Sequence, residues 1–422
     1  MLLSSTSTEF DSLLDYLYNL QRLGIKVGLS HTRELLGRCS NPQDHFQSIH
    51  VAGTNGKGST CAMTAAILME SGLKVGFYSS PHLIRFNERI RVNGEPITDD
   101  EIVTFVVQYK NDIDAIESTF FETTTAMAFN HFRNHRVDVA IIETGLGGRL
   151  DSTNVLKPVL TAITPISMDH RDILGDNILA IANEKAGIIK RNTPVLISNQ
   201  DMNVEALLIK KAESQNAPIT TVTFSDDLQY DKSGTAFDID GEEFITPLLG
   251  QHQAVNAALA VYIAKTFNPK LFHDIIQKGL TNTQWPGRLQ VMSTSPTIFY
   301  DVAHNAEGIG AVLRTVNQLF DCRPIGLFVM KGDKESNLIV SAIQDQFEEL
   351  IISGGTKYGL LTGKALGNIL SDNGLKNFSI NNSFPDALND LIDLSREELR
   401  PALIFGSHYV AKEIFDKFGF LI

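Results

Sequence analysis

Cysteine is scarce in this chain: Cys39, Cys61 and Cys322 are the only three in 422 residues. Their spacing matches no zinc pattern, and so sparse and odd a set excludes a disulfide-stapled scaffold and fits a reducing compartment. Each is expected as a small buried apolar side chain. Basic charge is also in short supply. Lys and Arg number 36 against 49 Asp and Glu, a net charge of −13. Such a surface repels phosphate backbones on average, which argues against nucleic acid as a partner. A local nest of amides can still bind a small anion on an acidic protein. No run of 18 consecutive apolar residues occurs, so no membrane association is expected. The N-terminal stretch carries Glu9, Asp11 and Asp15, with no basic start and no apolar core of signal-peptide length. The expected address is the cytoplasm.

What is present is an ordinary globular composition, 43% hydrophobic and 20% charged, which excludes a disordered or collagen-like chain. The length carries a prior of two to three domains at roughly 150 residues each. Residues 10–38 read as short helical stretches. Beyond them, apolar runs alternate with amphipathic stretches. FQSIHVAG (46–53), KVGFYS (74–79), VDVAIIE (137–143), VLTAITPI (159–166) and TPVLIS (193–198) read as strands. Helices are expected over 59–71, 99–116, 122–135, around 177–187 and around 203–216, with a hairpin at 89–97 turning on Asn93-Gly94. This order predicts a doubly wound α/β domain. Residues 225–247 are polar and turn-rich and read as a small β-hairpin insert, followed by two helices at 251–267 and 269–280. The Pro- and Gly-bearing stretch from 281 to 296 is the linker candidate. The alternation then restarts with strands at 298–302, 325–330, 349–355 and 402–407, predicting a second, Rossmann-like α/β domain. The expected division is 1–284 for a P-loop-containing domain, 285–296 for the linker and 297–422 for the C-terminal domain.

The strongest local signal is HVAGTNGKGST (50–60). Gly53, Gly56 and Gly58 lie between an apolar strand and an amphipathic helix. Glycines let the chain turn sharply and aim successive N–H groups into one cavity, and the helix start adds its dipole. Lys57 supplies a point charge for phosphate, and Ser59 or Thr60 a hydroxyl for Mg²⁺. The strict G-x-x-x-x-G-K-[ST] pattern fails at Val51 and at Gly58, so the strand–loop–helix context carries the reading of a nucleotide-phosphate site. A metal usually accompanies bound ATP, and its ligands are expected at the carboxyl ends of parallel strands. Glu143 ends VDVAIIE, His170 follows a strand in TPISMDHRD, and Ser80 stands in YSSPHL. Alone, Ser80 reads as a turn residue and His170 as a hydrogen-bonded structural one. Their joint placement after separate strands makes a site.

With HVAGTNGKGST on the page, further stretches fall into place: YSSPHLIRFNERI, IIETGLGGRLDSTN, ISMDH, EKAGIIK, GQHQAVNAALA, WPGRLQ, YDVAHN and, near the end, GSHY. Together they resemble the folylpolyglutamate synthase/dihydrofolate synthase family of Mur-ligase-like, ATP-dependent amide ligases. The resemblance implies that Gly53, Thr54, Asn55, Gly56, Lys57, Gly58, Ser59, Thr60, Asn256, Arg288 and Asp301 contact ATP, with His304 reaching the nucleotide from the second domain. It implies that Ser80, Glu143 and His170 hold Mg²⁺, and that a carbamylated Lys185 holds a second ion. Phe121 and Asp151 fall where the family contacts the pterin-bearing substrate, and Ser407 where it receives glutamate. The catalytic assignments are Lys57, Lys185 and His304. Two positions depart from the family pattern: Val302 replaces a glycine in DVAHN, and His408 a larger apolar residue in GSHY.

The activity implied is glutamate addition to dihydropteroate, to a (tetrahydro)folate or to both, through an acyl phosphate. The expected partners are these small molecules and L-glutamate, the expected state a monomer. Three alternatives stand beside the bifunctional reading: a monofunctional folylpolyglutamate synthase, another Mur-type ligase and a P-loop switch ATPase. A muropeptide ligase would need an N-terminal UDP-sugar module for which the 52 residues before Gly53 are too few. A guanine switch would need an N-K-x-D motif that is missing.

Overall fold

Apolar runs between residues 47 and 221 become the strands of one large sheet. The computed structural model describes residues 3–24, 28–225, 228–332, 336–355 and 359–420, with side chains from residue 10. Residues 25–27 of the first helical stretch and 226–227 of the insert therefore lie outside the described residues. Helices α1 (Leu3–Asn19) and α2 (Ser30–Arg38) precede β1 (Gln47–Ala52), which runs into α3 (Lys57–Glu70). Next come β2 (Val75–Tyr78), β3 (Ile90–Val92), β4 (Glu95–Pro96), α4 (Asp99–Ile116), α5 (Phe120–His135) and β5 (Val139–Glu143). They are followed by β6 (Leu160–Ile163), α6 (Arg171–Leu174), α7 (Ile178–Ala186), β7 (Val195–Ile197), α8 (Met202–Ser214) and β8 (Ile219–Thr221). The strand order is β4-β3-β2-β5-β1-β6-β7-β8. All pairings from β2 to β8 are parallel, and the β3–β4 hairpin adds an antiparallel edge.

Because β5 lies between β1 and β2 while β6 lies on the other side of β1, the order reverses around β1. The carboxyl ends of β2, β5, β1 and β6 are thus neighbours, the usual place for a ligand crevice. Strands β2, β5, β6 and β7 are buried along their length, as runs such as Val139–Glu143 require. Helix α4 starts where the sequence stops being extended: Thr98 and Glu101 close a reciprocal capping box. Strand β8 was not anticipated. It is a half-exposed edge strand without an apolar run, so it carries little hydrophobic signal.

The polar insert forms three strands rather than one hairpin: β9 (Gln229–Asp231), β10 (Gly234–Ile239) and β11 (Glu242–Thr246), in the order β11-β10-β9. Two turns fit within it, the second at Asp240-Gly241 with both residues at positive φ. Helices α9 (Gln251–Phe267) and α10 (His273–Thr281) follow.

The chain divides into two units. One comprises Met1–Ser225, Ile239–Phe244 and Val255–Thr283; the other comprises Asp226–Asp238, Ile245–Ala254 and Gln284–Ile422. The second unit holds a sheet of β12 (Gln290–Thr294), β13 (Thr297–Asp301), β14 (Ile325–Phe328), β15 (Leu350–Ile352), β16 (Ser379–Ile380) and β17 (Ala402–Phe405). Its order is β12-β13-β17-β14-β15-β16, parallel except for the β12–β13 pair. Helix α11 (Ala306–Leu319) follows β13. The stretch read as a linker therefore contains a strand. Its turn-forming residues are confined to its ends, leaving Gln290–Thr294 free to pair. No helix among the described residues is long and apolar enough to cross a membrane.

Candidate active site

The loop between β1 and α3 is tied to its neighbours by main-chain bonds. Thr54 N and Asn55 N donate to Pro165 O at 3.0 and 3.3 Å. Thr54 Oγ1 donates to Ser167 O and accepts from Ser167 N, both at 3.1 Å, and Asn55 Nδ2 donates to Ser167 Oγ at 3.1 Å. The loop is thereby held against the chain leaving β6. Gly58, Ser59 and Thr60 lie in the first turn of α3 and are buried. Asn256, also buried, comes from α9 to the same place: its carbonyl accepts a 3.4 Å bond from Thr60 Oγ1.

Gly56 sits at φ 86 as the helix begins, and a Cβ there would overlap the Asn256 side-chain amide. Both the backbone angle and the space require glycine. Gly56→Ala should therefore distort the loop. We expect a loss of ATP-analogue affinity of roughly 5- to 150-fold, since a displaced donor costs about 1–3 kcal/mol, with a lower Tm. Unchanged affinity in a binding titration would contradict this geometry.

Lys57 folds back over the loop. Its Nζ donates to Gly53 O at 3.1 Å and Thr54 O at 3.0 Å. The buried Lys185 meets the same carbonyl, Nζ to Gly53 O at 2.6 Å. Burial, and then the Lys57 cation, push the Lys185 amine down from its ordinary value to about 7; Asp169 and Asp151 act in the opposite direction. Burial beside a second lysine thus leaves a substantial share of this amine unprotonated, and so nucleophilic, near neutral pH.

The position of Lys185 is set by the turn after β5. A Cβ on Gly148 would stand 2.8 and 2.9 Å from the carbonyl oxygens of Glu184 and Lys185. Only glycine lets the turn approach the end of α7 so closely. Arg149 N donates to Glu184 O at 2.7 Å, and the Arg149 guanidinium pairs with the Glu184 carboxylate at 2.8 Å.

The sequence-derived metal ligands are distributed around this loop. Glu143 ends β5, is buried, and accepts a 3.2 Å bond from Ser80 N, just beyond β2. These two are brought together. His170 follows β6 three residues past Ser167. It is exposed, lies at φ 50, donates its backbone N to Asp169 Oδ1 at 2.9 Å and places Nε2 3.8 Å from Asp169 Oδ2. The Glu143 carboxylate and the Ser80 hydroxyl are hard oxygen donors at the end of neighbouring parallel strands, a donor set that fits Mg²⁺.

Phe121 lies in the first turn of α5, its ring 6.0 Å from that of Tyr78 and directly against Gly145. Asp151 is buried and structurally committed. Its Oδ2 accepts from Leu146 N at 2.8 Å and its Oδ1 from Thr153 N at 3.0 Å and the Thr153 hydroxyl. Burial raises its pKa against those bonds. The structure thus shows Asp151 closing the 144–150 turn. Pro165 and Ser167 were not singled out from sequence. Ser167 lies within ISMDH, whereas Pro165 acts through a backbone carbonyl that no residue pattern reveals.

In the second unit, Trp285–Leu289 and the end of β13 form one cluster. Asp301 is buried, its Oδ2 accepting from Leu289 N and its Oδ1 from Ala303 N, both at 2.7 Å. Burial raises its pKa and the Arg288 charge opposes that rise. Arg288 lies 5.9 Å from the Trp285 ring centroid and donates to Gly287 O at 3.1 Å. His304 Nδ1 is 3.0 Å from Val302 O. Val302 is not among the positive-φ residues, so its side chain needs no glycine there, whereas Leu289, at φ 41, is held in the left-handed region. Ser407 follows β17, paired beside β13. It is buried, its carbonyl accepts from the Tyr300 hydroxyl at 3.0 Å, and its Oγ accepts from Tyr409 N at 3.2 Å.

Known proteins resemble this chain in sequence and in fold. The Mur ligase middle domain matches residues 51–264. A dihydrofolate synthase/folylpolyglutamate synthase of Bacillus subtilis is 38% identical over 74% of this chain and 77% of its own. A folylpolyglutamate synthase of Lacticaseibacillus casei is 35% identical over 94% of this chain and 96% of its own. Among solved structures, Mycobacterium tuberculosis folylpolyglutamate synthase complexed with ADP and AMPPCP superposes with a TM-score of 0.90 at 31% identity, covering 97% of this chain and 99% of that one. A shared fold over nearly the whole length, with identity at this level, leaves one assignment: the chain belongs to the folylpolyglutamate synthase/dihydrofolate synthase family of ATP-dependent ligases.

Proposed function

We propose that this enzyme adds L-glutamate to both dihydropteroate and reduced folates, using ATP. The observation that carries the reading is the phosphate loop with Lys57 and Lys185 converging on Gly53 O. A carboxylate is a poor electrophile, because an oxide cannot leave. Its oxygen attacks the γ-phosphorus of ATP, the bond to ADP breaks, and an acyl phosphate forms. The glutamate amine then attacks the acyl carbon, inorganic phosphate departs with the C–O electron pair, and the nitrogen loses its surplus protons. Lys57 and the loop N–H groups stabilise charge on the transferring phosphoryl group. Glu143, Ser80 and His170 would hold Mg²⁺, which would supply neutralisation of the phosphate oxygens. Arg288, Asp301 and His304 carry the nucleotide role that the family resemblance assigns, Phe121 and Asp151 the pterin role and Ser407 the glutamate role.

Lys185 is proposed to be carbamylated: its neutral amine adds CO₂ and releases one proton, giving an N-carboxylate. The product would retain one N–H for Gly53 O, and its carboxylate would supply a ligand for a second Mg²⁺. The lowered pKa supports this step, since only the unprotonated amine reacts. Three free thiols are in keeping with a cytoplasmic setting.

The decisive experiment supplies purified protein with ATP, glutamate and either dihydropteroate or tetrahydrofolate, and counts products by mass. The proposal expects a single glutamate on dihydropteroate, further glutamates on tetrahydrofolate, and ADP formation that needs both co-substrates. Product from tetrahydrofolate alone would reduce the enzyme to a monofunctional synthase. ADP release without either co-substrate would point to a switch ATPase.

A further inference from the structure

A second cluster of metal-ligating side chains lies at the far end of α5. His131 and His135 stand four residues apart, one turn of helix, and therefore share a face. Glu101 reaches them from the first turn of α4. Its Oε1 is 2.7 Å from His135 Nε2 and 3.5 Å from His131 Nδ1, and one donor atom from each of the three lies within 4.8 Å of the others. The imidazole rings are 4.2 Å apart between centroids. This place is separate from the phosphate loop: His135 lies 15 residues beyond the start of α5, about 22 Å along the helix. It also lies just before β5, at the amino ends of the strands rather than the carboxyl ends.

We propose that Glu101, His131 and His135 form a three-ligand site for a divalent transition metal, with Zn²⁺ as the best-fitting member of that class. Two imidazoles and a carboxylate are the borderline donors that such ions prefer over Mg²⁺. Donors bound at about 2.1 Å in a tetrahedral site are about 3.4 Å apart. The His131–Glu101 separation already matches. The His135–Glu101 hydrogen bond must open by less than about 1 Å, and the half-exposed His135 has room to do so. An ordinary hydrogen bond between helices accounts for His135 and Glu101 but not for His131, a buried imidazole brought to the same oxygen. The carboxylate is also held from behind: Thr98 N and Oγ1 donate to Glu101 Oε2 at 2.9 and 2.8 Å, so Oε1 is turned to the imidazoles. Such support of a ligand is typical of built metal sites.

The test uses the full chain in excess Mg²⁺, titrated with Co²⁺ and followed by visible absorption. We expect an intense low-symmetry Co²⁺ band that saturates at one equivalent and is abolished by Zn²⁺. In His135→Gln and Glu101→Gln the band should be lost, while melting temperature in the absence of Zn²⁺ or Co²⁺ and ligase turnover stay near wild type. A band that survives in both variants would place the ion elsewhere and overturn the proposal. Only the weak spectrum of hydrated Co²⁺ in the wild type would overturn it too, leaving a hydrogen bond between helices.

Discussion

Lys57→Ala should remove ligase turnover and leave a folded protein. Lys57 is the cation on the phosphate loop itself, anchored in this structure to Gly53 O and Thr54 O. Those two bonds hold the ammonium over the loop, and transferring it to a phosphate oxygen exchanges one set of acceptors for another. In the transition state the γ-phosphoryl group carries charge over its equatorial oxygens, and a preorganised cation is worth most there. Removing a single preorganised donor costs about 10²–10³-fold in kcat, and a full positive charge should cost at least that. The loss to stability is small by comparison, about 1 kcal/mol for a half-buried hydrogen-bonded group. The loop keeps its bonds to Pro165 and Ser167. Steady-state kinetics with thermal melting decides the matter. Near-normal kcat in a folded variant would remove Lys57 from the chemistry.

Lys185→Ala should also cripple the enzyme, by about 10²-fold or more if a charged ligand is lost from the phosphoryl-transfer site. Acetate or formate should restore part of that activity by filling the vacated anionic position. Activity of the wild type should rise with pH through about 7 as the amine loses its proton, and ¹³C-labelled bicarbonate should give a carbamate signal that is missing from the variant. Stability follows the same group with a defined sign. Its folded pKa, about 7, lies below the ordinary 10.5. Between those values the unfolded chain binds more protons, so stability rises with pH across that window. Below about pH 7 both states are protonated and the folded state bears the whole cost of a buried cation. Lys185→Met, which keeps the volume, should thus be more thermostable than wild type near pH 6 while being inactive. Equal pH–stability profiles, or full activity without rescue, would reject this account.

Elements with a strong local period were legible in the sequence. Helices at 99–116 and 251–267 occupy the expected residues, and the Asn93-Gly94 turn joins β3 and β4. The phosphate loop was legible for the same reason, since its glycines, lysine and flanking strand and helix are contiguous. Illegible parts depend on partners distant in sequence. The Thr54–Pro165 bond joins residues more than a hundred positions apart, and Lys185 finds Gly53 across 132. No periodicity records such meetings, and only the family resemblance drew attention to Lys185 and Asn256. Asp151 illustrates the opposite difficulty. Its position in the motif implies substrate contact, and nothing in that motif announces the bonds its carboxylate accepts from the backbone of its own turn. Exposed or short strands, β8 and β12, were missed because they bury too little to leave an apolar pattern.

The close approach of Gly148 to the end of α7 bears on any redesign of this enzyme. The turn that begins where Glu143 ends is backbone against backbone with the helix that carries Lys185, and Arg149 joins the two again. A designer who wishes to re-aim Lys185 cannot do it by exchanging side chains around the amine. The hydrogen of Gly148 is the clearance between the parts, so strand end and helix end would have to be rebuilt as one piece.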